Sequence, residues 1–434
     1  MRLSSLRPEH RPHALNALFE ALAAGVVPNS CDVVVLAGPL RHDRLRRAID
    51  ATLARHPVLR ARPYQLHVHH LPDDEPARVD AHLLDRWRER LAADVAPVRF
   101  HVTTTPGRTY FQTIHTHVHA DATACYLLTE QIAASYGADG HRPDDAAASP
   151  PPGDRALARR GGLSDHDRGA AQTVRDLGTR FAGVAAARAT RPGRRRLARA
   201  VIGPPDAARL RQAARARGCS LHAFFQLALL RTATARNRRY GVERARLRYW
   251  DFFSMRPLRD DAAPPYDNLA LVYPVELDAR WSDDEVLARC GRTIEQLRDG
   301  GILAHAARFD ALLAVFGPLL PRRWFARLWP ALFKSNVLLT NPGVCPSALP
   351  RFGDTAVLDY VTFPQLFPPA QLLLVFSTFR DGLRVLAVYD EDALGAGFHD
   401  ELFAPLVRAL GDLAGLDLSA ISTTGDFVAS WAPR

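Results

Sequence analysis

Apolar positions recur at two spacings along the chain, and the alternation between them divides it into helices and strands. A period near 3.6 predicts helices over 14–24 (Ala14, Leu15, Leu18, Phe19, Leu22), Leu45–Leu53, 82–94 and 122–136. The run Asp32-Val33-Val34-Val35-Leu36-Ala37-Gly38 predicts a buried strand ended by glycine. Strands are also predicted over 98–104 and 108–118, joined by a Pro106-Gly107 turn. Pro57 stops the helix before it, and Val58–Arg62 reads as extended. His67, His69 and His70 fall on an edge strand with acidic turn residues after it.

The pattern then lapses. Residues 137–168 are rich in Gly, Pro and charge, with few large apolar groups, and read as a linker or surface loop. A helix over 169–189 and a strand over 197–202 follow. Helices run from Asp206 to Arg217, closed by Gly218, and onward from Ser220. Further strands fit 246–254, 268–276, 336–340, 355–362, 371–378 and 383–388, and helices fit 283–298 and 397–413. Residues 311–333 form an apolar, aromatic stretch interrupted by Pro318, Pro321 and Pro330. Strands and helices mix without strict alternation. This argues an α+β protein of two similar lobes, 1–165 and 166–434.

Composition narrows the class. The chain has 434 residues, 47% of them hydrophobic and 24% charged, which excludes wholesale disorder and a small disulfide scaffold. Net charge is +10, carried by arginine, since Lys334 is the only lysine. Such a balance fits either a biased genome or an anionic partner such as coenzyme A or an acidic carrier protein. The densest basic run is Arg194-Arg195-Arg196, too short to make a nucleic-acid interface. The five cysteines form no CxxC pair, as expected of a reducing compartment without a disulfide framework. No signal peptide and no membrane-spanning run is recognised, so a cytoplasmic location is expected.

Chemistry concentrates in His115-Thr116-His117-Val118-His119-Ala120-Asp121. Strand periodicity puts His115 and His117 on one face, and His119 joins them only if the strand continues. Three readings stand. The residues are structural, with Asp121 a helix N-cap. Or His115, His117 and His119 bind a metal for hydrolysis, although no further histidine falls in a ligand-like cluster. Or His117 and Asp121 form an HxxxD pair in which a neutral imidazole takes a proton from an attacking hydroxyl or amine. Cys125 reads as packing on the apolar face of its helix.

Around this segment the chain resembles the superfamily of chloramphenicol acetyltransferases and peptide-synthetase condensation domains, whose motif is HHxxxDG. The likeness extends through Arg55-His56-Pro57-Val58-Leu59-Arg60, Ser254-Met255-Arg256-Pro257, Asp267-Asn268 and Thr340-Asn341-Pro342-Gly343. The resemblance implies two chloramphenicol-acetyltransferase-like lobes forming a V with a central tunnel. It implies His117 as general base, and Asp121 paired with Arg256 as structural support. Asn341, Thr116 and Ser254 are candidate tunnel-lining residues, with Asn341 equally suited to closing a turn. No bound cofactor or metal is implied. The donor would be acyl-CoA or a phosphopantetheine-linked thioester, the partner an acyl or peptidyl carrier protein, and the acceptor a small molecule.

Two departures bear on activity. Thr116 replaces the first histidine, and Ala122 replaces the glycine. The resemblance implies a stand-alone ester- or amide-forming acyltransferase of specialised metabolism. A catalytically silent relative that recruits a carrier protein is the alternative.

Overall fold

The computed structural model describes residues 29–60, 62–89, 91, 97–117, 119–138, 181–186, 194–254, 266, 268–297, 334–344, 349, 351–366, 369–421 and 423–424. The expected helix over 14–24, residues 139–168 of the loop expected over 137–168, the apolar stretch 311–333 and Arg256 lie outside them.

In the first part of the chain, β1 (Asn29–Leu36), α1 (His42–Leu53), α2 (Pro57–Arg60), β2 (Gln65–His70), α3 (Pro76–Arg88), β3 (Val98–Thr104), β4 (Thr109–Thr116) and α4 (Ala122–Gly137) follow in order. The second part runs β5 (Arg195–Ile202), α5 (Pro204–Ala216), α6 (Leu221–Arg239), β6 (Arg246–Ser254), β7 (Ala270–Asp278) and α7 (Asp283–Gln296). Then come β8 (Val337–Val344), β9 (Arg351–Phe352), β10 (Thr355–Phe363), β11 (Leu372–Phe379), β12 (Gly382–Asp390), α8 (Glu391–Leu394), α9 (Ala404–Asp412) and β13 (Thr423–Thr424).

Two sheets organise these elements. One has six strands in the order β2-β3-β4-β1-β10-β9, and the other seven in the order β13-β5-β12-β11-β8-β6-β7. Every residue of β1 is buried, because the strand lies inside its sheet and both faces are covered. Val34 and Leu36 pack under α1 and α4, whereas Cys31, Val33 and Val35 join Leu83 and Trp87 of α3. That second cluster continues into Leu338, Leu373, Val375 and Leu386 of the seven-stranded sheet, so the inner faces of the two sheets share one core. An ion cluster crosses the same space: buried Arg199 of β5 pairs with Asp359 of β10, and Arg384 of β12 reaches Asp359 at 3.2 Å.

Strands and helices fall close to the expected positions, with four differences. Residues 57–60 turn as helix rather than extending, because Pro57 lets a new turn start and the carbonyl of His56 accepts from the N–H groups of Leu59 and Arg60. The helix expected over 82–94 spans Pro76–Arg88, with proline again in its first turn. Of the helix expected over 169–189, residues 181–186 are described and are not helical; Ala182 bridges to Leu247 instead. The last helix is preceded by one π-turn, His399–Phe403. Pro405 has no N–H for the carbonyl of Glu401, and the N–H of Ala404 bonds His399 five residues back. Among the described residues no helix is long and apolar enough to cross a membrane.

Candidate active site

β4 ends at Thr116, and the chain turns before α4 begins at Ala122. The N–H of Thr116 donates to Pro97 at 3.0 Å, and the N–H of His119 donates back to Thr116 at 3.1 Å. This tight turn takes His119 off the strand, so the three histidines do not continue along one face. His115 points into the core between sheet and helices. His117 sits half-buried in the turn, and His119 lies half-buried beyond it.

Each ring is kept neutral by desolvation. Burial pushes His115 down to about 3, helped by the neighbouring His117. Burial and the Arg62 guanidinium take His119 down to about 4. His117 is also lowered by burial, though a hydrogen bond to its own backbone carbonyl and the charge of Asp121 oppose the shift.

Asn268, just before β7, holds this ring. Its side-chain amide donates to the carbonyl of His117 at 2.6 Å and lies 3.3 Å from Nδ1. The amide orientation is fixed from the other side, where Oδ1 accepts from the N–H of Ala270 at 3.2 Å. The Nδ1 edge of the imidazole is thus turned to backbone and amide.

Asp121 is buried and serves two elements. One carboxylate oxygen accepts from the N–H of Ala124 at 2.8 Å, capping α4, and the other accepts from the N–H of Leu269 at 2.9 Å. The motif turn is therefore tied to the approach to β7 twice, by neighbouring residues. The carboxylate's expected partner, Arg256, lies outside the described residues.

Sheet register brings other expected residues to the same end. Ser254 pairs with Ala270 across β6 and β7, and Phe252 pairs with Thr340 across β6 and β8. Exposed Ser254, buried Asn268 and half-buried Asn341 therefore share one end of the seven-stranded sheet. Asn341 lies within β8 at an irregularity in its pairing with β11, and its Oδ1 accepts from the N–H of Gly343 at 3.1 Å. Gly343 has a φ of +83°, which favours glycine. Thr116 is half-buried in the motif turn.

Cys125 lies in the α4 core against His115 rather than against His117: its Sγ is 2.7 Å from Nε2 of His115. The basic run is engaged internally, with Arg196 at 3.1 Å and Arg194 at 3.6 Å from Glu391. Asn268 is a site residue that the histidine motif does not indicate. Its signal in the sequence is its place in the Asp267-Asn268 turn ahead of a strand.

No protein-family model and no curated protein sequence matches the chain. Solved structures do. The first condensation domain of the CDA synthetase superposes with a TM-score of 0.67 at 17% identity, covering 97% of this chain and 100% of that one. The fold is that of a condensation domain. The starter condensation domain of rhizomide synthetase, solved in complex with C8-CoA, matches with a TM-score of 0.66 at 12% identity, over 95% of this chain and 97% of that one. The epimerization domain from the third module of tyrocidine synthetase B gives 0.66 at 12% identity, over 90% of this chain and 92% of that one. The expected two-lobed α+β architecture is thus present, and the condensation-domain fold accommodates both condensation and epimerization domains.

Proposed function

We propose that this condensation-fold protein is an acyltransferase, with His117 as its general base, moving an acyl group from a CoA or carrier-protein thioester to a hydroxyl or amine. The observation that carries the reading is the anchoring of His117. Its Nδ1 edge is engaged by its own carbonyl and by Asn268, which fixes the orientation of the ring, and in this reading Nε2 is the nitrogen that meets the acceptor. Its depressed basicity keeps the ring unprotonated at neutral pH, the form a base requires.

In this reading the acceptor O–H or N–H approaches Nε2 between the two lobes. As its heteroatom bonds to the thioester carbonyl carbon, its proton passes to Nε2. The tetrahedral intermediate then expels the thiolate, which takes the proton back from the imidazolium and leaves as free thiol. Asp121 acts through position: it starts α4 and fixes the Leu269 backbone that carries Asn268 alongside.

The test is release of free thiol from a panel of acyl-CoAs and acyl-loaded carrier proteins, each with candidate hydroxyl and amine acceptors. Release by the wild type that disappears in His117→Ala supports the reading. Full release by His117→Ala overturns it. Thr116 in place of histidine favours one second reading, a catalytically silent protein that binds a carrier protein. That reading expects no thiol release from any donor and carrier binding unchanged in His117→Ala.

A further inference from the structure

Beneath the motif turn, β1 carries a residue that apolar packing does not explain. Asp32 is 1% exposed, set between Cys31 and the apolar run Val33–Leu36. Neither of its carboxylate oxygens has a hydrogen-bond partner of full geometry among the described residues. Burial pushes this carboxyl up to about 7, and the nearby hydroxyls of Thr362 and Tyr360 offset that only in part. A charge in such a place is costly unless something compensates it.

Two other ligand types converge on the same point. Ser30 of β1 stands opposite His115 of β4, so Asp32 shares a sheet face with His115. Cys125, in the first turn of α4, packs onto that face. One donor atom each from Asp32, His115 and Cys125 lies within 4.8 Å of the others, and all three residues are buried. Nδ1 of His115 has no hydrogen-bond partner among the described residues. The hydroxyls of Tyr266 and Tyr360 are buried around the cluster.

We propose that Asp32, His115 and Cys125 form a buried structural site for a divalent transition metal of the zinc class. An oxygen, nitrogen and sulfur donor set suits that ion, with a tyrosine hydroxyl or an enclosed water as fourth ligand. Charge balance supports it: a carboxylate, a thiolate and a neutral imidazole around a dication sum to zero. Binding releases the thiol proton and whatever proton the carboxyl holds, so affinity falls in acid. Zinc bonds of about 2.3 Å to sulfur and about 2.0 Å to nitrogen at a tetrahedral angle separate those atoms by roughly 3.6 Å. The present 2.7 Å between Sγ and Nε2 must therefore open, a movement within reach of side-chain rotation. Because the site is closed, its metal does not meet substrate. It ties β1, β4 and α4 together two residues before His117, and it departs from the sequence expectation of no metal.

The experiment is metal analysis of the full chain expressed in zinc-supplemented medium, followed by chelation and reconstitution with cobalt(II). Expected are close to one zinc per chain, a lower melting temperature after chelation that added zinc restores, and a thiolate-to-cobalt absorption band. Cys125→Ser should lose the band, and Asp32→Asn should lose bound metal. Metal at background, with no thermal response to zinc and no cobalt band in the wild type, overturns the proposal. The cluster is then a neutral set with Asp32 protonated. The decisive readings come from the wild type, so a variant that fails to fold does not blunt the test.

Discussion

The side-chain amide of Asn268 donates to the backbone carbonyl of His117 at 2.6 Å, across 151 positions of sequence. Its oxygen is already committed to the N–H of Ala270, so the amide has one orientation. Asn268→Ala leaves a carbonyl without its donor and the imidazole without its neighbour. Losing one such bond at a buried site costs about 1–2 kcal/mol. Thiol release should therefore fall about tenfold or somewhat more in kcat, with KM changed much less. Asn268→Asp should be worse, because it sets an acceptor against an acceptor. Equal kcat values for wild type and both variants in single-turnover assays would remove Asn268 from the positioning machinery.

The motif histidine and its helix were legible because the residues concerned are adjacent in sequence and the pattern changes period there. The helix starts after Asp121, as the switch to a 3.6-residue repeat requires, whereas the strand stops at Thr116, two residues short of its expected end at 118. What escaped was contact at a distance. The pairing of Asp121 with the N–H of Leu269 involves backbone, which carries no residue-type signal. The helical turn at 57–60 carries an extended signature in the sequence because Pro57 ends one helix, yet the same residue is well suited to begin another. Asp32 did leave a trace, a carboxylate inside Cys31-Asp32-Val33-Val34-Val35-Leu36. Its neighbours His115 and Cys125 are brought to it only by strand register and helix docking.

Asp121 joins two parts of the fold through separate oxygens, and the two bonds can be separated by mutation. Asp121→Ala deletes both the cap on α4 and the link to Leu269. The cap alone is worth about 1 kcal/mol and a second lost acceptor about 1–3 kcal/mol. Asp121→Asn keeps one acceptor and should retain roughly half of that stability. Melting temperatures should rank wild type above Asn above Ala. An Ala variant as stable as the wild type would show that neither bond matters to folding.

The Arg199–Asp359 pair is a buried charged contact between the two sheets. Burial alone would raise the carboxyl of Asp359, but Arg199 and Arg384 more than reverse that and hold it low. Arg199 is 1% exposed, so removing its partner strands a cation in the shared core. Asp359→Ala should cost about 3–5 kcal/mol, the penalty typical of breaking a buried pair. Arg199→Met with Asp359→Leu should recover part of it, since the apolar pair needs no compensation but Arg384 still loses its carboxylate. A urea denaturation series on the three variants decides this; an Asp359→Ala midpoint matching the wild type would contradict it.

The histidines at the edge of the six-stranded sheet make stability depend on acid. Nε2 of His69 lies 3.0 Å from Nδ1 of His101, and the His67 ring stacks on His101 at 5.0 Å. From α3, His82 meets His69 edge-on at 4.8 Å, and the Arg86 guanidinium adds positive charge, as does Arg99 of β3. Desolvation first, and then His67, His69, Arg99 and Arg86, push His101 down to about 2. Unfolded, the same ring titrates near 6.5. Below that pH the unfolded chain binds a proton that the folded one refuses, so the contribution of His101 is complete above about 6.5 and lost as pH falls toward 2. Its slope is about 1.4 kcal/mol per pH unit between roughly pH 6 and 4. His69, pushed down to about 4, acts in the same direction over the upper part of that window. Unfolding free energies measured by urea from pH 7 to 4 should fall more steeply for the wild type than for His101→Gln, which has no proton to take up. Parallel curves would mean that His101 titrates alike in both states and that this edge is more open to water than its packing indicates.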